Sequence, residues 1–255
     1  MMYNPFSLEG KVAMVTGAGR TTGLCYGMAK ALQEAGAKVV LCDISEGVYE
    51  LRDYMGGEAA GIYAVKANLC DKDNLEAVFD EAVRLAGGRI HILLNGAGIQ
   101  YRSPVLEFPL EKWDQIISVN LSAMFYISQV AARHMEKMGG GKIINIASMT
   151  SYMGSKNIVA YSASKGGVMQ LTKALSNELA SKGICVNAIA PGYMATALTA
   201  DMMNSDLGRQ HTSRIPMGRW GKPEDLGGPV VFLASEASDY ITGAIIPVDG
   251  GYTCI

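Results

Sequence analysis

The chain has 255 residues, 49% hydrophobic and 18% charged, enough for one large buried core and too little for two ordinary domains. Lys and Arg number 22 against 24 Asp and Glu, with no basic run, so composition excludes the electrostatic footprint of a nucleic-acid or anionic-membrane binder and leaves a small molecule as the expected partner. The opening "MMYNPFSLEG" has neither a positive n-region nor an apolar core, and no stretch is expected to reach the length of a membrane span, so a cytoplasmic protein is expected.

In chain order, short runs rich in Val, Ile and Leu alternate with longer segments of helical period. The runs cover 11–17, 37–43, 61–67, 90–98, 141–148, 184–192 and 243–251, and helices are expected near 23–35, 46–56, 72–86, 111–137, 160–181 and 223–234. Continuous apolar strands separated by helices imply a parallel sheet covered on both faces, since right-handed crossovers lay the helices over its two sides. The predicted fold is α/β: a Rossmann-like doubly wound parallel sheet of about seven strands with helices on both faces, in one domain spanning residues 1–255. Such sheets bind ligands outside the carboxyl ends of their strands, and the unusual residues fall there. One long irregular stretch, roughly 197–216, follows the sixth strand and is expected to be a lid over the substrate. Cys25, Cys42, Cys70, Cys185 and Cys254 show no CxxC spacing and no histidine cluster, so they read as structural thiols and no metal site is expected.

The first strand leads into "TGAGRTTGLC", residues 16–25. A turn that cradles a pyrophosphate needs small residues, because its backbone approaches the phosphates closely and a helix N-terminus points at them. Gly17 ends the strand, Gly19 follows, and Gly23 and Leu24 open a helix with Met28, Ala31, Leu32 and Ala35 near one face. Asp43 ends the second strand about twenty residues beyond Gly23, where a carboxylate accepts hydrogen bonds from an adenosine ribose and repels a 2′-phosphate. NAD is therefore expected over NADP. Arg20, a guanidinium in the turn, is the contrary sign.

The segment "SMTSYMGSKNIVAYSASK", residues 148–165, carries the strongest chemical signal. Tyr161 and Lys165 stand four apart on an expected helix and share a face, while Ser148 lies at the carboxyl end of the fifth strand. A tyrosine of pKa about 10 is a poor base at neutral pH, and lowering it by roughly three units takes about 4 kcal/mol of differential stabilisation of the phenolate. A neighbouring ammonium and a cationic nicotinamide ring are the expected sources.

With these residues in place, the chain from about residue 8 onward resembles the short-chain dehydrogenase/reductase family. The resemblance implies that Ser148, Tyr161 and Lys165 act with Asn120 of "SVNLSAMFY", which would hold a water linking Lys165 to solvent. It further implies a nicotinamide cofactor bound by Gly17, Gly19, Arg20, Gly23, Leu24 and Asp43, with Tyr161 and Lys165. Asn68 and Leu69 after the third strand, Asn95, Gly96 and Ala97 of "LLNGAG", and Pro191, Gly192, Met194 and Thr196 of "APGYMAT" complete that implied set. A homotetramer built on the fourth and fifth helices and the last strand is the family's usual assembly. Two departures stand out. The turn is two residues longer than the usual TGxxxGxG, with Cys25 in place of its last glycine, and Gly96 replaces the second Asn of NNAG, which is expected to loosen that loop. The longer turn is similar to that of enoyl reductases, whose Tyr and Lys are more widely spaced, so carbonyl and alcohol chemistry is favoured here.

Among members, "FSLEGKVA", "GGKIINIASM" and "RIPMGRWGKPEDL" are most similar to sugar-acid dehydrogenases of the 2-deoxy-D-gluconate 3-dehydrogenase and gluconate 5-dehydrogenase type. Arg102 is the expected partner of a substrate carboxylate, with Ser148, Met149, Tyr161 and Tyr193 lining the substrate site and Arg214 and His211 as weaker candidates. Against a sugar acid stand Met149, Met153, Met194, Met202 and Met203, adaptable apolar side chains that better suit a hydroxysteroid such as a bile acid, with 3-oxoacyl reduction a further alternative. A nucleotide-binding regulatory protein is the non-enzymatic reading.

Overall fold

In the computed structural model, which describes residues 4–254, seven parallel strands form one sheet; residues 1–3, part of the opening stretch read above, and residue 255 lie outside the described residues. The strands are β1 (Val12–Thr16), β2 (Lys38–Asp43), β3 (Ile62–Lys66), β4 (Ile92–Asn95), β5 (Gly141–Ile146), β6 (Ile184–Pro191) and β7 (Ile245–Val248), in the spatial order 3-2-1-4-5-6-7. The helices are α1 (Leu24–Glu34), α2 (Gly47–Tyr54), α3 (Leu75–Leu85), α4 (Leu110–Ile117), α5 (Ala123–Lys137), α6 (Val159–Leu179), α7 (Ala200–Asn204), α8 (Asp206–Ser213) and α9 (Gly227–Ala234).

Successive strand residues serve opposite layers, as the two-residue period of a strand requires. Ala13, Val15, Val39, Leu41 and Ile144 pack with Met28 and Leu32 of α1 and Val230 and Leu233 of α9. Val12, Met14, Val40, Cys42 and Ile143 pack on the other face with Phe79 and Ala82 of α3 and Ile127 and Met135 of α5. Burying each large apolar side chain contributes about 1.5–3 kcal/mol, which is why both faces must be covered. Strand order reverses between β1 and β4, so the crevice beyond their carboxyl ends is the ligand position of this topology.

Three expectations need correction. The helix expected over 111–137 is a rod from Leu110 to Lys137 interrupted by a π-type turn at Ser118–Ser122, where one extra residue per turn rotates Asn120 inward. That rod of 28 residues, with a mean hydropathy of 1.2, is long and apolar enough to cross a membrane, contrary to the sequence reading. Ile116, Asn120, Ala123, Ile127, Ala131 and Met135 are buried against the sheet, however, so it is a core helix. The stretch 197–216 is not irregular either: a 3-10 turn at Ala197–Thr199 leads into α7 and α8, each too short and too polar to show a helical period.

A chain of buried polar groups ties the second layer to the sheet. Asn95 Nδ2 donates to Ser128 Oγ of α5 at 2.8 Å and to Asn145 Oδ1 of β5 at 2.9 Å; Asn145 Nδ2 donates in turn to Thr172 Oγ1 of α6 at 3.0 Å. Buried groups left without a partner carry the full desolvation penalty. Asn145→Ala removes one hydrogen-bond partner from Asn95 Nδ2, which keeps Ser128, and one from Thr172 Oγ1, which keeps the Val168 carbonyl, and it is expected to cost about 1–3 kcal/mol, read as a lower urea midpoint at an unchanged m-value.

Candidate active site

The turn after β1 lies against two other segments. Gly17, at φ +75°, has its N–H on the Cys42 carbonyl at 2.8 Å, and a Cβ there would sit 2.7 Å from the Ala97 Cα. A Cβ on Gly19 would meet the Asp43 carboxylate at 2.6 Å, so only glycine lets the turn cross β2 here. Asp43 Oδ1 accepts the N–H and hydroxyl of Ser45 at 2.9 and 2.8 Å, and among the described residues no protein donor reaches Oδ2. Gly23 is extended and no side chain caps α1, so Leu24 and its neighbours present open N–H groups at the positive end of the helix. Between this turn and the segment after β6 lies a cleft of about 430 Å³ lined by Thr21, Thr22, Tyr26, Thr196, Met203 and Glu224 among others. Arg20 is exposed at its rim.

Around the cleft the remaining expected cofactor residues fall into two groups. Pro191 ends β6, and Gly192 passes so close to Asp249 that a Cβ would be 2.7 Å from it. Thr196 caps the turn at Ala197–Thr199 and lines the cleft. Gly96 and Ala97 follow β4, their N–H groups on Thr16 Oγ1 at 3.1 and 3.3 Å. The loop is thus clamped and not loosened by its glycine. Asn95, Leu69 and Met194 are buried, and Asn68 accepts the Cys70 N–H at 3.0 Å. Glycine cradle, open helix terminus and free carboxylate oxygen together fit a nicotinamide nucleotide.

Ser148, Tyr161 and Lys165 meet beyond β5. Ser148 Oγ accepts the Thr150 N–H at 3.1 Å, which leaves its own proton to donate. Lys165 is buried on α6; its Nζ donates to the Ile146 carbonyl at 2.6 Å and lies 5.7 Å from the centre of the Tyr161 ring. Burial pushes the ammonium down to about 8. Burial likewise pushes the Tyr161 phenol up, while the Ser148 hydroxyl and the Arg102 charge pull it back. The lysine, expected to lower that pKa, is not the group that does so in the free chain. Asn120 Oδ1 accepts the Ile99 N–H at 2.8 Å, and its Nδ2 donates to the Ile99 carbonyl at 3.0 Å and to Ser164 Oγ at 3.1 Å. It therefore bolts the loop after β4 to α6.

The family model described as "Enoyl-(Acyl carrier protein) reductase" matches residues 17–253. The chain is 45% identical to the 2-dehydro-3-deoxy-D-gluconate 5-dehydrogenase of Bacillus subtilis and 46% identical to that of Escherichia coli, covering 98% and 99% of each pair of chains. The crystal structure of a gluconate 5-dehydrogenase from Burkholderia cenocepacia, in complex with NADP and tartrate, superposes with a TM-score of 0.92 at 37% identity, over 98% of both chains. The chain belongs to the short-chain dehydrogenase/reductase family. As a member it is an oxidoreductase that uses a nicotinamide nucleotide on CH–OH groups.

Helices α7 and α8 form a cap over Tyr193, Trp220 and Tyr252. Tyr193 stacks on His211 with ring centres 4.3 Å apart, its hydroxyl 3.3 Å from His211 Nε2, and it also packs on Trp220 and Tyr252. Burial pushes its phenol up to about 12, so it stays protonated. Arg214 lies over the Tyr252 ring at 4.9 Å. Arg102, exposed on the loop after β4, acts electrostatically on Tyr161, Tyr193 and His211 together. Met149 and Met153 from below and Met202 and Met203 of α7 itself pack with Ile215, Trp220 and Tyr252, Met203 also lining the cleft, and Met194 is buried in the core. Thr21, Thr22, Tyr26 and Glu224 were not expected in the site; the hydroxyl pair inside the lengthened turn was the signal available.

Proton removal from an alcohol needs the phenolate, and Tyr161 stands above its ordinary value in the free protein. Oxidation measured as kcat/KM is therefore expected to rise with pH above neutrality. Arg102→Ala, by removing a charge that lowers the Tyr161 pKa, is expected to move that rise to higher pH, besides any loss in its height.

Proposed function

We propose that this enzyme interconverts a secondary alcohol and ketone on a sugar acid of the gluconate or deoxygluconate type, with NAD preferred. One observation carries the reading: the Arg102 charge acts on the catalytic phenol and on the capping residues Tyr193 and His211 at once, a cation placed to pair with the carboxylate of a substrate lying between them. The names of the relatives at 45% and 46% identity support the same substrate class. Met149 and Met153 pack beneath the cap with Trp220 and Tyr252, which weakens their case for a steroid.

When bound, the nucleotide supplies the hydride acceptor for oxidation or the donor for reduction. Tyr161 as phenolate accepts the hydroxyl proton of the alcohol, and Ser148, whose hydroxyl reaches the same phenol, donates to the oxygen that becomes the carbonyl. Lys165, fixed by the Ile146 carbonyl beneath the phenol, favours the phenolate and holds the nicotinamide ribose. Water beside Asn120 returns the proton to solvent; Asn120 Oδ1 and Lys165 Nζ both lie within 4 Å of where a Gly98 side chain would begin. Met149 and Tyr193 shape the substrate pocket, and α7 and α8 act as its lid over 197–216. In this reading the protein works in the cytoplasm as a homotetramer through α4, α5, α6 and β7, where Phe125 and Val159 are exposed.

Asp43 supports NAD, because its free Oδ2 suits a ribose hydroxyl and repels a phosphate. Arg20 and the NADP bound to the Burkholderia enzyme favour the second reading, NADP. Purified protein offered aldonic, deoxyaldonic and hydroxysteroid substrates with NAD is expected to turn over the acids; turnover of steroids alone would refute the substrate class. Tyr161→Phe is expected to abolish turnover and leave nucleotide binding intact. Asp43→Ser is expected to shift the NAD/NADP ratio of kcat/KM toward NADP by about ten-fold or more, and an unchanged ratio would sink the nucleotide assignment.

A further inference from the structure

Cys25 and Gly96 face one another where α1 begins. A Cβ on Gly96 would lie 2.3 Å from Cys25 Sγ, 2.9 Å from the Thr16 carbonyl oxygen and 3.8 Å from Cys25 Cβ, so the sulfur is the side chain that fills the volume a residue at 96 would occupy. Cys25 is 7% exposed, in a cluster that includes Leu94, Ile146 and Met28. We propose that Cys25 and Gly96 are one compensated exchange: the thiol, carried on α1, wedges the loop after β4 into place and so positions the nicotinamide end of the cofactor site.

The loop has three fixed points. Thr16 Oγ1 takes the N–H groups of Gly96 and Ala97, Asn120 takes both polar atoms of the Ile99 backbone, and Cys25 Sγ fills the remaining side. Between these points lies Gly98, where a Cβ would stand 3.8 Å from Lys165 Nζ. Displacing the loop at Gly96 therefore carries Gly98 toward or away from the lysine. The thiol acts through volume and not through reactivity: burial, with the Asp43 charge, pushes its pKa up to about 12, so it carries no thiolate at neutral pH. The two departures from the family pattern, one in the turn and one after β4, thus compensate each other.

The pairing makes a sign-reversing prediction that depends on nucleotide binding alone, whatever the substrate. Gly96→Ala, which drives a methyl into the sulfur, is expected to lower Tm and weaken NAD binding about ten-fold, with ADP binding unchanged because its contacts lie at the Asp43 end. Cys25→Ala opens a small void and costs less. The double variant C25A/G96A is expected to melt higher and bind NAD more tightly than G96A, although it carries one more substitution. Some loss will persist, since the same methyl would stand 2.9 Å from the Thr16 carbonyl. Melting curves and NAD and ADP titrations by tryptophan fluorescence decide it. A double variant no better than G96A in Tm overturns the pairing, while recovery of Tm without NAD affinity, or equal loss of ADP and NAD, overturns the positioning role.

Discussion

At the carboxyl end of β1 the chain passes the loop after β4 so closely that a Cβ on Gly17 would touch the Ala97 backbone at 2.7 Å, and the Thr16 hydroxyl stitches the two together. That contact is the switch point of the sheet seen at atomic scale. Because β1 and β4 are neighbours whose crossovers run to opposite faces, their ends diverge above it and leave the crevice in which the turn, Asp43 and the loop after β4 assemble. Without the close approach the open terminus of α1 would not face the cleft, and Gly98 would not border Lys165.

Electrostatics divide the site in two. Around Tyr161 and Lys165 desolvation dominates: both neutral forms are favoured, the phenol above its ordinary range and the ammonium down to about 8. Around Tyr193 and His211 burial again has the largest influence, but here Arg102 and Arg214 each add positive charge that acts on both residues. Arg102 belongs to both halves, since its charge also acts on Tyr161.

Much of this was legible in the sequence, for identifiable reasons. Strands buried on both faces are continuous apolar runs, so all seven were placed; β4 was read too long because "GAG" continues the small apolar pattern after pairing has ended at Asn95. That Tyr161 and Lys165 share one face was legible because helical spacing alone puts them there. Less visible were features that leave the apolar period untouched. The π-type turn that turns Asn120 inward shifts hydrogen bonds without changing composition, and α7 and α8 are too short to show periodicity. Desolvation of Tyr161 depends on what surrounds it, so its upward push in the free chain was not legible in the sequence, whose expected lowering included the cationic nicotinamide ring. Cys25 and Gly96 looked like separate departures because their contact joins segments far apart in the chain.

The cap is fastened almost entirely by side chains. Among the described residues, α7 and α8 contribute no strand to the sheet, and they rest on methionines, Trp220 and Tyr252, with Trp220 Nε1 donating to Thr212 Oγ1 at 2.9 Å. Lifting them breaks no backbone ladder. Opening is therefore a local event whose free energy lies well below that of unfolding, so amide hydrogens in 200–213 should exchange long before those of β1, β4 and β5, even in a chain whose core never opens.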